Sequence, residues 1–316
     1  MTEAKVRVAI IGLGDVGQGW AALCAAAGWP VSVFDTDAGA TADAPGEIKM
    51  RARMLVAVDR ATAQDVETGL RGLVVARSLL EACKDADWII EAGPEDLRVK
   101  QKIFESIESV AQRARAITSS SGAFMAKDIA ARCTRHHRCF VVHPQNPVEL
   151  IPLVEVVSGA DTDHTLIELT KGWLRALGRM PVEIKKPVPG NIAMRITAAV
   201  WREAIDLVLE GVIEVDDLDR AVSLGPALAW AAAGPHLTYH LAAGEGGVRA
   251  FIQHLLQTYE GIWEDLPTWS KLEPEQHRRL VAAVERAYAE DTDRIRPARD
   301  RRLAAILRGL ELAKEK

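Results

Sequence analysis

Residues 6–28, VRVAIIGLGDVGQGWAALCAAAG, decide the fold of the chain. The apolar run before the glycines is typical of a short buried strand, and the small and apolar residues after them favour a helix. Gly12, Gly14 and Gly17 form a G-x-G-x-x-G turn between the two elements. Gly12 allows the tight turn, Gly14 lets the backbone approach a pyrophosphate, and Gly17 lets the helix pack closely on the strand. Because a helix N-terminus also favours phosphate, the stretch predicts a dinucleotide site that includes Asp15 and Val16.

The next apolar strand, in PVSVFDTD (residues 30–37), ends at Asp35. A carboxylate at this place would accept a hydrogen bond from the 2′-hydroxyl of a ribose. Asp35 and Asp37 would repel a 2′-phosphate, and no arginine accompanies them, so the sequence favours NAD over NADP. The alternative is an ordinary strand–helix unit with a glycine turn and a solvent-facing Asp35.

Strands and helices alternate up to residue 186. Further apolar stretches of strand length end near residues 91, 119, 144, 157 and 185. Amphipathic helical segments separate most of them, which predicts the α/β class with a Rossmann-type doubly wound parallel sheet. KKPVPGN (185–191) then favours a domain boundary, and only helical periodicity follows it. We therefore expect an NAD-binding domain over residues 1–186 and an all-α domain for substrate binding and dimerisation over residues 187–316.

The composition is that of an ordinary globular protein, with 316 residues of which 48% are hydrophobic and 26% charged. The net charge of −5 gives no reason to expect a nucleic-acid or anionic-membrane partner. No apolar run reaches the roughly 18 residues that a membrane span needs, and the N-terminus does not read as a signal peptide, so we expect a cytoplasmic protein. The four cysteines have no C-x-x-C spacing, and we expect neither a metal site nor a disulfide.

VVHPQNPVELIPLVEVV (141–157) carries the candidate chemistry. A nicotinamide enzyme that oxidises an alcohol needs a base for the hydroxyl proton, and His143 is the candidate, because histidine is the side chain that most often has this role. Glu155 lies among valines, where an unpaired carboxylate would be costly. We therefore expect Glu155 to pair with the His143 ring and to stabilise its protonated form. The alternative is a loop histidine and a strand glutamate that faces solvent.

A serine-rich turn, ITSSSGAF (117–124), follows another of the expected strands. Its hydroxyls would lie at the carboxyl edge of the sheet, where ligands bind in open α/β folds. One of these serines could therefore bind a substrate oxygen. A turn that only caps the next helix is equally consistent with the composition.

These segments, together with IIEAGPEDLRVKQKIF (89–104), resemble the 3-hydroxyacyl-CoA dehydrogenase superfamily over almost the whole chain. The resemblance implies that His143 is the catalytic base, that Glu155 orients it and that Ser121 is the catalytic serine. It also implies a homodimer formed through the C-terminal helical domain, to which the apolar residues 224–235 could contribute. Finally, it implies that the NAD site is lined by Glu95, Lys100 and Asn146.

One position departs from the family pattern. Where the family often has asparagine before an arginine at the start of its second domain, PGNIAMRI (189–196) has Met194, with Asn191 one helical turn earlier. A free acid also needs a cation for its carboxylate, for which Arg195 and Arg202 are candidates. We therefore take Asn191, Met194 and Arg195, with Ser121, as substrate-binding candidates. The arginines could equally be surface residues of an amphipathic helix.

Trp20-Ala21, WREA (201–204) and GPHLTYHLAAGEGG (234–247) resemble the branch that contains L-carnitine dehydrogenase and L-gulonate 3-dehydrogenase. Residues 36–54 also lack the lysine-rich helix with which acyl-CoA enzymes of the family meet the CoA phosphates. We therefore predict NAD-dependent oxidation of a short free 3-hydroxy acid, carnitine- or gulonate-like. A 3-hydroxyacyl-CoA dehydrogenase and an NAD-binding structural protein without catalysis are the alternatives.

Overall fold

The computed structural model describes residues 5–289 and 292–312. The chain divides into two compact units, of which the first ends at Arg195 and the second begins at Ile196. The boundary that we expect from the sequence, between residues 186 and 187, stays a prediction of where the domains separate.

The first unit is built on one eight-stranded sheet, with the strand order β3-β2-β1-β4-β5-β6-β7-β8. The strands are β1 Val8–Ile11, β2 Val31–Phe34, β3 Leu73–Val75, β4 Trp88–Glu91, β5 Ala116–Ser119, β6 Cys139–Pro144, β7 Leu153–Val157 and β8 Met180–Ile184. All neighbouring strands are parallel except β6 and β7, which pair antiparallel. From β1 to β3 the strands are added toward one edge of the sheet, and from β4 onward toward the other edge. The order therefore switches between β1 and β4, which is where doubly wound sheets bind their ligands. The expected Rossmann-type fold is confirmed, with this antiparallel pair as the difference.

Seven helices of the first unit connect these strands in the described part of the chain: α1 Asp15–Ala26, α2 Ala38–Ala57, α3 Ala63–Arg71, α4 Leu79–Cys83, α5 Leu97–Val110, α6 Ala126–Ile129 and α7 His164–Ala176. Several begin at a short polar side chain that accepts a hydrogen bond from a backbone amide of the first turn, for example Asp37 at α2 and Asp96 at α5. The short edge strand β3 was not expected, because three residues carry no periodic pattern that could be read.

The core of the first unit lies on both faces of the central strands. Every residue of β1, β4 and β5 is buried, as a parallel sheet covered by helices requires. The ring of Trp88 stacks on Trp173 with centroids 5.7 Å apart and meets the edge of Trp20 at 5.8 Å. These large rings fix how α1 and α7 cover the sheet.

The described residues of the second unit form helices and the segments that join them, with no strand among them, which confirms the all-α expectation. Its helices are α8 Ala193–Leu209, which begins in the first unit, and α9 Val215–Leu224, α10 Pro226–Ala242, α11 Gly247–Asp265, α12 Pro274–Ala287 and α13 Thr292–Leu312. α10 is kinked at Gly234, whose φ of 72° lies in the left-handed region. Among the residues described, no helix combines the length and the apolar character that crossing a membrane requires.

Candidate active site

The three glycines of the turn between β1 and α1 meet three different steric requirements. Gly12 has a φ of +102°, and a Cβ added to it would lie 2.6 Å from the carbonyl carbon of Ala92. A Cβ on Gly17 would lie 1.9 Å from the carbonyl oxygen of Gly12. At Gly14, by contrast, an added Cβ would have no heavy atom of the described chain within 4 Å. A side chain would therefore clash at Gly12 and at Gly17 but would find open space at Gly14. This fits a pyrophosphate approaching the backbone of Gly14 at the start of α1.

Asp35 follows β2 directly and lies beside the glycine turn. Its Oδ2 accepts a hydrogen bond from the backbone amide of Leu13 at 2.7 Å, and its Oδ1 accepts one from the amide of Asp37 at 2.9 Å. The side chain of Asp37 is used to cap α2 through the amide of Ala40. Asp35 thus offers its carboxylate at the edge of the turn, partly exposed, where a ribose hydroxyl would reach it.

Asp15 and Val16 are the first two residues of α1. The Asp15 carboxylate accepts a hydrogen bond from the side-chain amide of Asn146 at 2.7 Å and pairs with the guanidinium of Arg51 on α2. Asn146 lies just beyond β6, so the structure joins two cofactor candidates that are 131 positions apart in the sequence. Arg51 is a residue that the sequence analysis did not select.

A closed ring of hydrogen bonds lies at the carboxyl ends of β4 and β5. Lys100 is buried and donates to Glu91 Oε1 at 2.9 Å, and it also pairs with Glu95 Oε2 at 3.3 Å. Ser121 donates to the other oxygen of Glu95 at 2.5 Å, and its backbone amide donates to Ser119 Oγ at 3.2 Å. Ser119 completes the ring by donating to Glu91 Oε2 at 2.5 Å. Three of the predicted site residues, Glu95, Lys100 and Ser121, therefore belong to one network.

The two carboxyl groups of this ring are affected in opposite directions. Burial raises the pKa of Glu91 above its ordinary value, although the charge of Lys100 and the hydrogen bond from Ser119 act against the shift. Burial also acts to raise the pKa of Glu95, but the hydrogen bond from Ser121 and the charge of Lys100 outweigh it and hold that pKa below its ordinary value. Sequence reasoning missed Glu91 and Ser119. A carboxylate that ends the apolar run WIIE could have identified Glu91, since the same signal identified Glu155.

The antiparallel pairing of β6 and β7 places His143 directly opposite Glu155. Residues opposite each other in such a pair point to the same face, so the two side chains meet. His143 Nδ1 lies 2.9 Å from Glu155 Oε2, and the relative exposures of the two residues are 9% and 1%. The alternative in which Glu155 faces solvent does not hold in this structure.

The second oxygen of Glu155 is held by backbone. Glu155 Oε1 accepts hydrogen bonds from the amides of Ile192 at 2.8 Å and Ala193 at 3.0 Å, where α8 begins. Amides at a helix start carry a partial positive charge, which favours a carboxylate there. Both oxygens of this buried group therefore have partners, as a buried charge requires.

The other ring nitrogen of His143 faces the serine-rich turn. A Cβ added to Gly122 would lie 2.8 Å from His143 Nε2 and 2.6 Å from the Sδ of Met194. A side chain at residue 122 would therefore have to displace the Met194 thioether or the His143 imidazole, which lie side by side here. Met194 is partly exposed, so this corner is open on one side.

The other substrate-binding candidates lie around the start of α8. Asn191 is buried, has a φ of 48° and donates its backbone amide to Val188. Arg195 is exposed, and its guanidinium donates to the carbonyl of Pro189 at 3.5 Å. In the second unit, Arg202 donates to the carbonyl of Trp269 at 3.3 Å.

The chain matches two family models over adjoining segments. The model "3-hydroxyacyl-CoA dehydrogenase, NAD binding domain" matches residues 7–187, and "3-hydroxyacyl-CoA dehydrogenase, C-terminal domain" matches residues 190–282. The L-carnitine dehydrogenase of a Pseudomonas species is 34% identical over 98% of this chain and 95% of its own length. That of Burkholderia mallei is 38% identical over 82% of this chain and 79% of its own.

Two solved structures match most of the chain. The crystal structure of 5-formyl-3-hydroxy-2-methylpyridine 4-carboxylic acid 5-dehydrogenase, described as an NAD⁺-dependent dismutase, has a TM-score of 0.82 at 26% identity and covers 98% of this chain and 99% of that one. A (S)-3-hydroxybutyryl-CoA dehydrogenase from Ralstonia eutropha has a TM-score of 0.64 at 23% identity, over 90% and 95% of the two chains, and shows likeness of fold alone.

Proposed function

The chain belongs to the 3-hydroxyacyl-CoA dehydrogenase family, and we propose that it oxidises the 3-hydroxyl of a short free hydroxy acid, carnitine- or gulonate-like, to the 3-keto acid. It is an NAD-dependent dehydrogenase, and NAD supplies the hydride acceptor when it is bound. The observation that carries the proposed chemistry is the contact between His143 and Glu155.

In the proposed mechanism His143 takes the hydroxyl proton of the substrate at Nε2, while the hydride leaves the carbon that bears this hydroxyl. The other ring nitrogen, Nδ1, carries a proton before and after this step and donates it in a hydrogen bond to Glu155. The carboxylate therefore fixes the tautomer of the neutral ring and stabilises the imidazolium that forms. The two amides at the start of α8 hold the Glu155 carboxylate in place through the step.

We assign Ser121 to the substrate oxygen. Its hydroxyl donates its single proton to Glu95 in this structure, so the assignment requires the hydroxyl to reorient when substrate binds. The assignment is supported by the position of Gly122, the next residue, against the free nitrogen of His143. Asn191, Met194 and Arg195 complete the proposed substrate site, with Arg195 as the cation for the carboxylate.

The cofactor site follows from the glycine turn. Gly12, Gly14, Asp15, Val16 and Gly17 would receive the diphosphate through their backbone at the start of α1. Asp35 would bind the ribose hydroxyls, and this carboxylate explains a preference for NAD over NADP. The remaining cofactor residues that we propose are Glu95, Lys100 and Asn146.

The charges on α2 support a free acid over an acyl-CoA. The basic side chains of this helix are Lys49, Arg51 and Arg53. Arg51 is held by Asp15 and Glu149, and Arg53 pairs with Glu67 on α3. The helix therefore keeps little unpaired positive charge for the phosphates of CoA, and relatives at 33% to 38% identity bear the name L-carnitine dehydrogenase.

Met194 favours a second candidate function. It stands where the family often has an asparagine, and a protein that binds NAD without catalysis could tolerate that loss. The presence of His143, Glu155 and Ser121 together weighs against this candidate, because each would then be retained without a purpose.

We also propose a homodimer formed through the second unit. Large apolar side chains of this unit are more than two-fifths exposed on several helices, including Leu224, Leu237, Leu241, Ile252 and Trp263. Large exposed apolar side chains in such number support an interaction site on this unit.

The substrate class can be tested by following NADH during incubation of the purified protein with candidate substrates. We expect NADH to form from carnitine or gulonate, each supplied with NAD, with 3-hydroxybutyrate as the short acid that lacks their polar groups. Acetoacetyl-CoA with NADH is the competing arm. If acetoacetyl-CoA is reduced while none of the free acids is oxidised, the proposed substrate class is wrong.

A further inference from the structure

Asp15 puts a carboxylate at a place where an anion is unexpected. It is the first residue of α1, directly after Gly14, where the backbone is open for a diphosphate. A carboxylate here is favourable for the helix itself, because it lies at the positive end of the helix dipole. It would, however, repel a diphosphate that approaches the same helix end. The glycine turn therefore needs something that cancels this charge.

Arg51 supplies the opposite charge from a different element. It projects from α2, and one of its terminal nitrogens pairs with Asp15 while the other lies 3.2 Å from Glu149 Oε1. The side chains of Arg51 and Glu149 are only 11% and 4% exposed, against 42% for Asp15. Burial acts to lower the pKa of Arg51, but the hydrogen bond with Asp15 and the charge of Glu149 outweigh it and raise that pKa above its ordinary value. The guanidinium therefore stays charged.

The bridge satisfies its own polar atoms poorly. Within the described part of the chain, Arg51 Nε and Glu149 Oε2 are buried and make no hydrogen bond. Buried ion pairs that leave polar atoms unsatisfied add little to stability, and apolar residues in their place are often as stable. Stability alone therefore does not account for an arginine at residue 51.

We propose that Arg51 is a positioning residue for the cofactor, which neutralises Asp15 so that the diphosphate meets the start of α1 without repulsion. The amide of Asn146, 2.7 Å from the other oxygen of Asp15, holds the carboxylate turned toward this pair. The proposal rests on the proposed placement of the diphosphate over Gly14. It concerns binding of the cofactor and not the transfer of hydride or proton.

The test is NADH binding to the whole protein without substrate, followed by NADH fluorescence. Arg51→Met should weaken binding about tenfold, the size expected for one charge interaction at a partly exposed site. Asp15→Asn keeps the shape of the side chain and removes the charge, so it leaves Arg51 as a net positive charge beside the turn and should bind NADH more tightly than the unaltered protein. The double variant Asp15→Asn/Arg51→Met should return to within about twofold of the unaltered protein.

The salt dependence of NADH binding gives a second test. If Arg51 had a merely structural role, the difference in NADH affinity between Arg51→Met and the unaltered protein would not depend on salt. Repulsion between Asp15 and the diphosphate is screened at high ionic strength. The difference between Arg51→Met and the unaltered protein should therefore shrink from about tenfold at low salt toward no difference near 0.5 M salt.

Arg53→Met is the matched control, because Arg53 lies on the same helix and pairs with an exposed glutamate, Glu67, on α3. It should leave NADH binding unchanged. The proposal is overturned if Asp15→Asn weakens binding as Arg51→Met does, because the pair would then only pin α2 to the turn. Asp15→Asn alone decides this if Arg51→Met fails to fold. Absence of NADH binding to the unaltered protein would overturn the cofactor placement itself, and this inference with it.

Discussion

The two units bury their apolar residues to very different degrees. In the first unit the central strands are buried on both faces, and a side chain as large as Trp88 is fully enclosed. In the second unit, α10 and α12 have no buried residue in their described parts, and Leu224 is 73% exposed. Each Å² of apolar surface removed from water contributes about 25 cal/mol to stability. The first unit therefore carries a large core of its own, whereas the second leaves much of its apolar surface exposed.

This difference has a consequence for the chemistry. The groups proposed to act on substrate are held by strands and by buried hydrogen bonds within the first unit, as the pair on β6 and β7 illustrates. Rigid strands keep such groups in position better than loops do. Changes inside the first unit should therefore cost stability and activity directly, and changes on the second should act through association.

The largest expected effect on stability comes from Lys100→Met. Lys100 is the cation between Glu91 and Glu95, and its loss leaves the buried carboxyl group of Glu91 without a cation, at a cost of about 3–5 kcal/mol in the free energy of unfolding. Urea unfolding measures this cost. The matched change in the second unit is Arg220→Met, which breaks an exposed pair with Asp216 and should cost less than about 1 kcal/mol.

A double variant checks the cause of the Lys100→Met effect. Glu91→Gln together with Lys100→Met removes both charges, so most of the lost stability should return. If Lys100→Met lowers the free energy of unfolding by no more than Arg220→Met does, the ring of hydrogen bonds around Lys100 does not stabilise the first unit as described.

A smaller effect on stability, but a clear one on assembly, is expected from changes on α10. Replacing both Leu237 and Leu241 by arginine should turn a dimer into a monomer at micromolar concentration, as seen by sedimentation, because both side chains are exposed on one helix face. Leu80→Arg, at an exposed leucine of the first unit, is the control and should leave the sedimentation unchanged. A monomeric unaltered protein would dispose of the dimer.

The smallest effects concern pH, and they have opposite signs in the two units. In the first unit, burial acts to raise the pKa of Glu108, but hydrogen bonds from the amides of Thr134 and Arg135 outweigh it and lower that pKa. Its contribution to stability is therefore present above the ordinary glutamate pKa and is lost as the pH falls through the lowered value. In the second unit, burial and the nearby Asp206 raise the pKa of Glu203. Its contribution is present at low pH and is lost as the pH rises through the raised value.

Two variants separate these contributions. At pH 7, Glu108→Gln should lower the thermal unfolding midpoint, and Glu203→Gln should raise it slightly. The Glu203→Gln difference should fade as the pH falls below the ordinary glutamate pKa, whereas the Glu108→Gln difference should persist to a lower pH and fade only through the lowered pKa of Glu108. Shifts of the same sign at pH 7 would contradict the assignment.

The sequence predicted the local features of the fold and site well. The glycine turn, the strand ending at Asp35 and the helical second unit all follow from short patterns, because turn geometry and periodicity are local properties. Glu155 was identified by the cost of a lone carboxylate among valines. The reason why it meets His143 was not visible, since the antiparallel pairing of β6 with β7 departs from the parallel pattern that the sequence predicts.

The parts that could not be predicted depend on long-range contacts or on very short elements. Arg51 meets Asp15 and Glu149 only after α1, α2 and the segment beyond β6 have packed together. β3 is too short for a pattern. Ser119 acts through Glu91, 28 positions earlier, and nothing in the serine-rich turn distinguishes it from its neighbours before the strands pair.

The central claim is that His143 takes the proton of a substrate alcohol with Glu155 behind it. The most direct measurement compares the unaltered protein with His143→Ala for NADH formation from carnitine or gulonate, and for NADH binding in the same samples. We predict a loss of activity of roughly two to four orders of magnitude, as for a removed general base, with NADH affinity unchanged and a lower unfolding midpoint, because the buried Glu155 loses one of its partners. Activity of His143→Ala within about tenfold of the unaltered protein would contradict the account.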